Sequence, residues 1–241
     1  MTASDTDNSD YLIVVAHPDD EVLGAGATAA ALTSRGHRVR ACILSGEVTA
    51  RQHRPSDTEL RDDTHAASAL LGMQEPILGA FPNIAMNTVP HLNLVQFIEQ
   101  AISSTGADRI FTHHPSDLND DHRQVSAACQ AAARLSFRRS GVPRLKSLHF
   151  MEVLSSTDWS FPGSHEPFQP TAYFEIGEQN LQRKLDALAC YRDVTRPFPH
   201  PRSEEVIRGL AAVRGGQSAM NLAEAFQVAF TDIGTIEGPD V

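Results

Sequence analysis

The sequence predicts an α/β fold, a parallel sheet with helices on both faces and a C-terminal elaboration. Three observations carry this. Short apolar runs alternate with longer stretches of helical periodicity. The first run, "YLIVVA", is apolar throughout, as in a strand buried on both faces. Glycines stop the first two helical stretches, at Gly36 and Gly72. Strands alternating with helices require right-handed crossovers, and these make the strands parallel and cover both sheet faces.

The elements follow in order. "YLIVVA" is a strand, "VLGAGATAAALTSRG" a helix and "RVRACILS" a second strand. In "DTELRDDTHAASALLG", Leu60, Ala67, Leu70 and Leu71 share a helical face. "PILGAF" reads as a short strand, "VPHLNLVQFIEQAISSTG" as a helix, "DRIFTHH" as a strand and "DHRQVSAACQAAARLSF" as a helix. Beyond Pro143, "KSLHFMEV" and "AYFEI" read as strands, and "NLQRKLDALACYRDV" and "SEEVIRGLAAVRGG" as helices. The Ser-, Pro- and Gly-rich stretch 156–170 is a loop long enough to serve a function. Residues 11–232 are expected to form one domain, with flexible ends at 1–10 and 233–241.

Composition narrows the function. With 41% hydrophobic and 21% charged residues, the 241-residue chain can build a sizeable core. A net charge of -10, with no compensating Lys/Arg run read in the chain, argues against nucleic acid and anionic lipid as partners. No apolar run reaches the roughly 20 residues of a membrane span, and nothing in the polar, acidic start "MTASDTDNSD" points to export. Cys42, Cys129 and Cys190 form no CxxC pair, which suits a reducing cytoplasm. A homo-oligomer is compatible with all of this.

Chemistry concentrates in two clusters. In an open parallel sheet, ligands sit outside the carboxyl ends of the strands. "HPDDE" follows the first strand, and "HHPSDLNDDH" follows the strand "DRIFT", so both converge on one edge. Histidine with carboxylate selects zinc, and a catalytic zinc takes three protein ligands and keeps one position for water. His17, Asp20 and His122 can supply the three, leaving Asp19 beside the metal to take a proton from an acidified water. The structural alternative is that these aspartates merely cap the following helices. "GAGATAA" mimics a dinucleotide fingerprint, but it begins eight residues past the strand; small residues packing a helix against the sheet explain it better. A phosphoacceptor aspartate after the first strand would leave the second cluster without a role.

"AHPDDEVLG" with the later "HPSDLNDDHR" resembles the LmbE-like, or PIG-L, family of zinc-dependent N-deacetylases, which act on N-acetylglucosamine units and related amino sugars. The likeness extends from Tyr11 to about Phe230 and takes in "ELRDDTHAASALLG", "FPNIAMNTVP" and "RPFPHPRSEEVIRGLAAVRG". It implies a Rossmann-like fold, with His17, Asp20 and His122 as metal ligands and Asp19 as general base. It implies as partner a small amino-sugar substrate or its conjugate, and as cofactor Zn2+, with Fe2+ acceptable to the same donors. Arg61 stands where the family has a substrate-contacting arginine; a solvated helix residue is the alternative. Two departures stand out. Many relatives carry a histidine three residues before the last ligand, where this chain has Asn119; an amide can hold an oxyanion but cannot deliver a proton, so either Asp19 acts as both base and acid, or His114 or His200 fills the gap. Asn83 replaces an aspartate that helps hold sugar hydroxyls. His200 and Arg202, in "FPHPRS", are expected to border the pocket. Glu21 reads as a backing group or a helix N-terminal acid, and at most one of His113 and His114 should face the site. His37, His53, His65, His91, His149 and His165 read as surface or core residues.

Overall fold

The computed structural model describes residues 9–46, 56–161 and 166–234. Its elements are β1 (Asp10–Val15), α1 (Asp20–Ser34), β2 (Arg38–Ile43), α2 (Asp57–Leu70), β3 (Ile77–Leu78), α3 (His91–Thr105), β4 (Arg109–His113), α4 (Asp120–Ala132), β5 (Ser147–Met151), β6 (Ala172–Glu175), α5 (Gly177–Cys190), α6 (Glu204–Gln217) and β7 (Ala223–Thr231). The strands form one sheet in the order β3-β2-β1-β4-β5-β7-β6. The first five are parallel, and β7 runs antiparallel between β5 and β6.

β1 explains the layering. Ile13 and Val15 pack with Val22, Leu23 and Leu188 on one side, while Leu12 and Val14 pack with Leu94, Ile98 and Val125 on the other. Successive strand residues point to opposite faces, so an all-apolar strand needs a helical layer on each. Helix α2 begins with a capping box between Ser56 and Glu59. Helix α1 is broken at Ala25, whose φ is -147°. The N–H groups of Ala27 and Thr28 donate to the buried Glu224 carboxylate at 3.2 and 2.7 Å, and Lys184 Nζ bridges Glu224 Oε1 (2.6 Å) and Leu23 O (2.7 Å). A Cβ at Gly24 would stand 3.0 Å from Met151 Sδ, and one at Gly26 would stand 3.0 Å from Val22. The glycines of "GAGATAA" thus serve close packing.

Three expectations need adjustment. β7 was not anticipated as a strand, and the C-terminal elaboration is therefore partly an antiparallel pair that completes the sheet. The strand β1 starts at Asp10, inside the stretch expected to be flexible; of the two expected flexible ends, only Ser9, Asp10, Ile233 and Gly234 fall among the described residues. A basic run does exist: Arg134, Arg138, Arg139, Arg144 and Lys146 occur with no acid among them. Its charges are partly answered locally, by Glu99 for Arg138, Asp232 for Arg144 (3.1 Å) and Asp108 for Lys146 (2.9 Å). Among the described residues, no helix is long and apolar enough to cross a membrane.

Candidate metal centre

β1 has β2 on one side and β4 on the other, so the order of sheet building reverses between β1 and β4. At such a switch point the loops leaving the two strands diverge and open a crevice. "HPDDE" leaves β1 there, and the segment from His113 to His122 leaves β4 and enters α4.

His17, Asp20 and His122 converge in this crevice, their ligand atoms all within 4.8 Å of one another. Asp20 Oδ2 lies 3.3 Å from His17 Nδ1 and 3.2 Å from His122 Nε2. Donors about 2.0–2.1 Å from a tetrahedral ion stand roughly 3.3 Å apart, so the spacing fits. The far nitrogen of each imidazole meets another carboxylate: His17 Nε2 is 2.9 Å from Asp121 Oδ2, and His122 Nδ1 is 3.2 Å from Asp117 Oδ1. Metal-ligating histidines are backed in this way, which fixes ring and tautomer. Asp117 is itself held by Ser156 Oγ and by Thr157 Oγ1 (2.7 Å). Asp121 also accepts from the backbone of Ile84 (2.6 Å) and Met86 (2.9 Å), tying the Asn83 loop to the site.

Electrostatics agrees with the geometry. Burial opposes charge on His122, yet Asp20 and Asp117 lift its pKa to about 10; burial likewise opposes charge on Asp117, yet His122 holds it down at about 2. Asp20 also falls well below the carboxylate range, burial notwithstanding, through His122 and His17. A buried set of carboxylates that draws protons onto its imidazoles calls for positive charge, which a divalent cation supplies with the imidazoles neutral. A second grouping, His113, Asp117 and His122, is better engaged otherwise. His113 Nε2 accepts from Ala16 N–H (2.9 Å) and its ring stacks on His122 at 3.8 Å. Burial first, then the charge of His122, pushes its pKa down to about 3.

Asp19 occupies the N-cap position of α1, but its side chain does not cap the helix. It precedes α1 with φ +99°, in the left-handed region that an L residue adopts at a cost, and its carboxylate makes no capping hydrogen bond. Glu21 Oε2 accepts from its backbone N–H at 3.1 Å, and Tyr191 Oη donates to Glu21 Oε1. Burial, with Asp19 adding to it, pushes Glu21 up to about 8. Arg202 Nη1 approaches Asp19 Oδ2 at 3.4 Å, while its Nε donates to Ser155 Oγ at 2.6 Å.

A pocket of about 510 Å³ opens over the cluster, lined among others by His17, Asp19, Asp20, Asn83, Asn119, His122 and Arg202. Asn119 is the N-cap of α4, its Oδ1 accepting from Asp121 N–H at 3.0 Å. Three anticipated residues are not in this wall. His114 is buried beside Phe150 and Phe168, its Nε2 3.1 Å from Gln227 Oε1 and its Nδ1 accepting from Ser116 N–H. Of the paired histidines it is His113 that faces the ligand cluster, since adjacent strand-end residues point opposite ways. Arg61 is exposed on α2. His200 stands one layer back, edge-on to the wall residue Trp159 at 5.7 Å and accepting from Arg202 N–H at 3.0 Å. His37, His65, His91 and His149 are likewise outside the wall; His53 and His165 lie outside the described residues. Sequence reading did not assign Asp117, Asp121 or Tyr191. The two aspartates sat inside the quoted motif, but nothing local says which imidazole each one backs.

Fold and site together define an α/β protein whose strand-end crevice suits a cation beside a carboxylate outside its ligand set. A family model described as PIG-L: GlcNAc-PI de-N-acetylase matches residues 12–133, and the chain belongs to that family. It is 24% identical over 189 residues, 75% of its own length and 89% of the relative's, to the uncharacterized deacetylase YaiS of Escherichia coli (strain K12). The N,N'-diacetylchitobiose deacetylase of Pyrococcus horikoshii superposes with a TM-score of 0.73 at 16% identity, covering 92% of this chain and 84% of that one. GalB, the 4-carboxy-2-hydroxymuconate hydratase of Pseudomonas putida KT2440, superposes at 0.72 with 17% identity, covering 95% and 100%. One fold thus carries both a deacetylase and a hydratase, and the reaction has to be argued from the site.

Proposed function

We propose that the protein hydrolyses the acetamide of an N-acetylated amino sugar, of the N-acetylglucosamine type or a conjugate of it, releasing acetate and a free amine. His17, Asp20 and His122 hold the metal, zinc by preference of the donor set, with iron(II) satisfied by the same nitrogens and oxygen. When bound, the ion polarises the acyl oxygen and acidifies water. Asp19 takes the proton of the water that attacks the acetamide carbon and delivers it to the departing amine nitrogen as the C–N bond breaks. One group serves as base and then acid because Asn119 carries no transferable proton. The Asn119 amide donates to the oxyanion, and Arg202, 3.4 Å from the Asp19 carboxylate, helps aim it. Asn83, at the wall, contacts sugar hydroxyls.

The observation that carries this reading is Asp19, held at φ +99° with its carboxylate unused by the helix it precedes and 3.4 Å from Arg202, beside three converging ligands. Membership of a de-N-acetylase family and the likeness to a chitobiose deacetylase support the acetamide. The test is acetate release from N-acetylglucosamine glycosides by native, chelated and zinc-restored protein. Release that disappears on chelation and returns with zinc is expected. No acetate from any N-acetyl amino sugar, in protein carrying stoichiometric metal, overturns the proposal and turns attention to water addition of the kind named for GalB.

A further inference from the structure

We propose that the pocket mouth carries an apolar subsite, formed by Ile84, Leu118, Trp159 and Phe161, that receives a hydrophobic aglycone attached to the amino sugar. This rests on the deacetylase reading for the identity of the sugar, and on the following observations for the rest.

Ile84, Leu118 and Trp159 line the pocket over the ligand cluster, and Leu118 and Trp159 continue into an adjoining hollow of about 450 Å³ that Phe161 also lines. These four side chains are exposed at 63%, 44%, 47% and 75%. A contiguous exposed apolar surface at the rim of a polar cleft marks a ligand groove. Ile84 adds an independent observation. It is β-branched yet sits at φ +57°, a conformation that costs such a residue more than most. Its N–H is fixed by the Asp121 carboxylate at 2.6 Å, the same carboxylate that backs His17. The fold therefore accepts backbone strain to present an aliphatic side chain at the wall, where an asparagine would adopt the same backbone with less strain.

The hollow offers little to a second sugar. Its polar members are Asp158 and Ser160. Asp158 Oδ1 accepts from Ser156 N–H at 3.0 Å, and Ser160 Oγ donates to Ser116 O at 2.7 Å. Asp158 Oδ1 and Ser160 Oγ are thus engaged by backbone, and the apolar surface of the hollow is the Trp159 indole, the Phe161 ring and the Leu118 side chain, with Ile84 beside them on the wall of the main pocket. An aryl or alkyl group matches this chemistry; a hydroxyl-rich ring would strand its polar groups.

Trp159 is the chain's single tryptophan, so its fluorescence reports occupancy without any turnover. The experiment titrates the protein with the methyl and hexyl β-glycosides of N-acetylglucosamine and with di-N-acetylchitobiose, following Trp159 emission, and measures acetate release from each. The hexyl glycoside should half-saturate the emission change at a concentration about tenfold below the methyl glycoside, because each buried methylene adds to affinity. Leu118→Ser and Ile84→Asn should each shrink that ratio severalfold; the second replacement suits the left-handed backbone and guards against misfolding. Equal half-saturation for methyl and hexyl, or tighter binding of the disaccharide than of the hexyl glycoside, overturns the subsite. A hexyl preference in fluorescence with no acetate released from any compound upholds the subsite and rejects the deacetylase reading. Acetate release without a chain-length preference does the reverse.

Discussion

Replacing Asp121 by Asn tests the claim that the site is organised from behind its ligands. Asp121 Oδ2 meets both His17 Nε2 (2.9 Å) and Ile84 N–H (2.6 Å), and Oδ1 accepts from Met86 N–H (2.9 Å). An amide has one acceptor. With its oxygen kept at the Oδ2 position, its NH2 faces the Met86 N–H; turned round, it faces both His17 and Ile84. Either way a buried donor loses its acceptor, and the imidazole loses a charged partner that fixes Nε2 as the protonated nitrogen and leaves Nδ1 free for the proposed metal. Hydrogen bonds to charged groups contribute about 1.5–3 kcal/mol, and loss of a backing carboxylate lowers metal affinity about 10–100-fold, or roughly 1.4–2.7 kcal/mol. Zinc affinity measured by chelator competition should fall in that range for Asp121→Asn, with the circular dichroism of the fold retained. An affinity within about twofold of the unaltered protein would refute the backing role of Asp121.

Other expectations concern catalysis and stability. Asp19→Asn keeps the volume and an acceptor for Arg202 but removes the proposed base, so kcat should fall about 10²–10⁴-fold with metal content unchanged; undiminished turnover would exclude Asp19 as the proton carrier. Lys184→Met should destabilise the protein by about 3 kcal/mol in urea unfolding, since it leaves the buried Glu224 carboxylate without its cation; a loss below about 1 kcal/mol would mean that the Ala27 and Thr28 N–H groups suffice. Burial, with Arg109 adding to it, holds the pKa of His149 below its ordinary value. The neutral form is thus favoured by folding, and the stability it lends is full above about pH 6.5 and is lost as pH falls toward the folded value. His149→Leu should therefore lose less stability than the unaltered protein between pH 7 and pH 5, and parallel urea midpoints would contradict this.

Much of the frame was legible because strand and helix periods act locally. "YLIVVA" had to be a doubly buried strand, Gly36 and Gly72 had to follow helices, and the two acid-and-histidine segments had to fall at strand ends on one edge. β7 escaped notice because "AEAFQVAFT" is rich in Ala, Glu and Gln, weak strand formers whose pairing is supplied by β5 and β6 on either side. The basic run after α4 was hidden by a net charge that sums over the whole chain.

The sequence by itself determined which chemistry is available and on which edge of the sheet it stands, since residue order along a strand dictates both. Only the tertiary structure decided the pairings: Asp121 behind His17, Asp117 behind His122, Arg202 on Asp19 and Tyr191 on Glu21, partners up to 183 positions apart. Their meeting depends on sheet order and on loop geometry at the switch point between β1 and β4. Those follow from the packing of the whole core and from no local pattern.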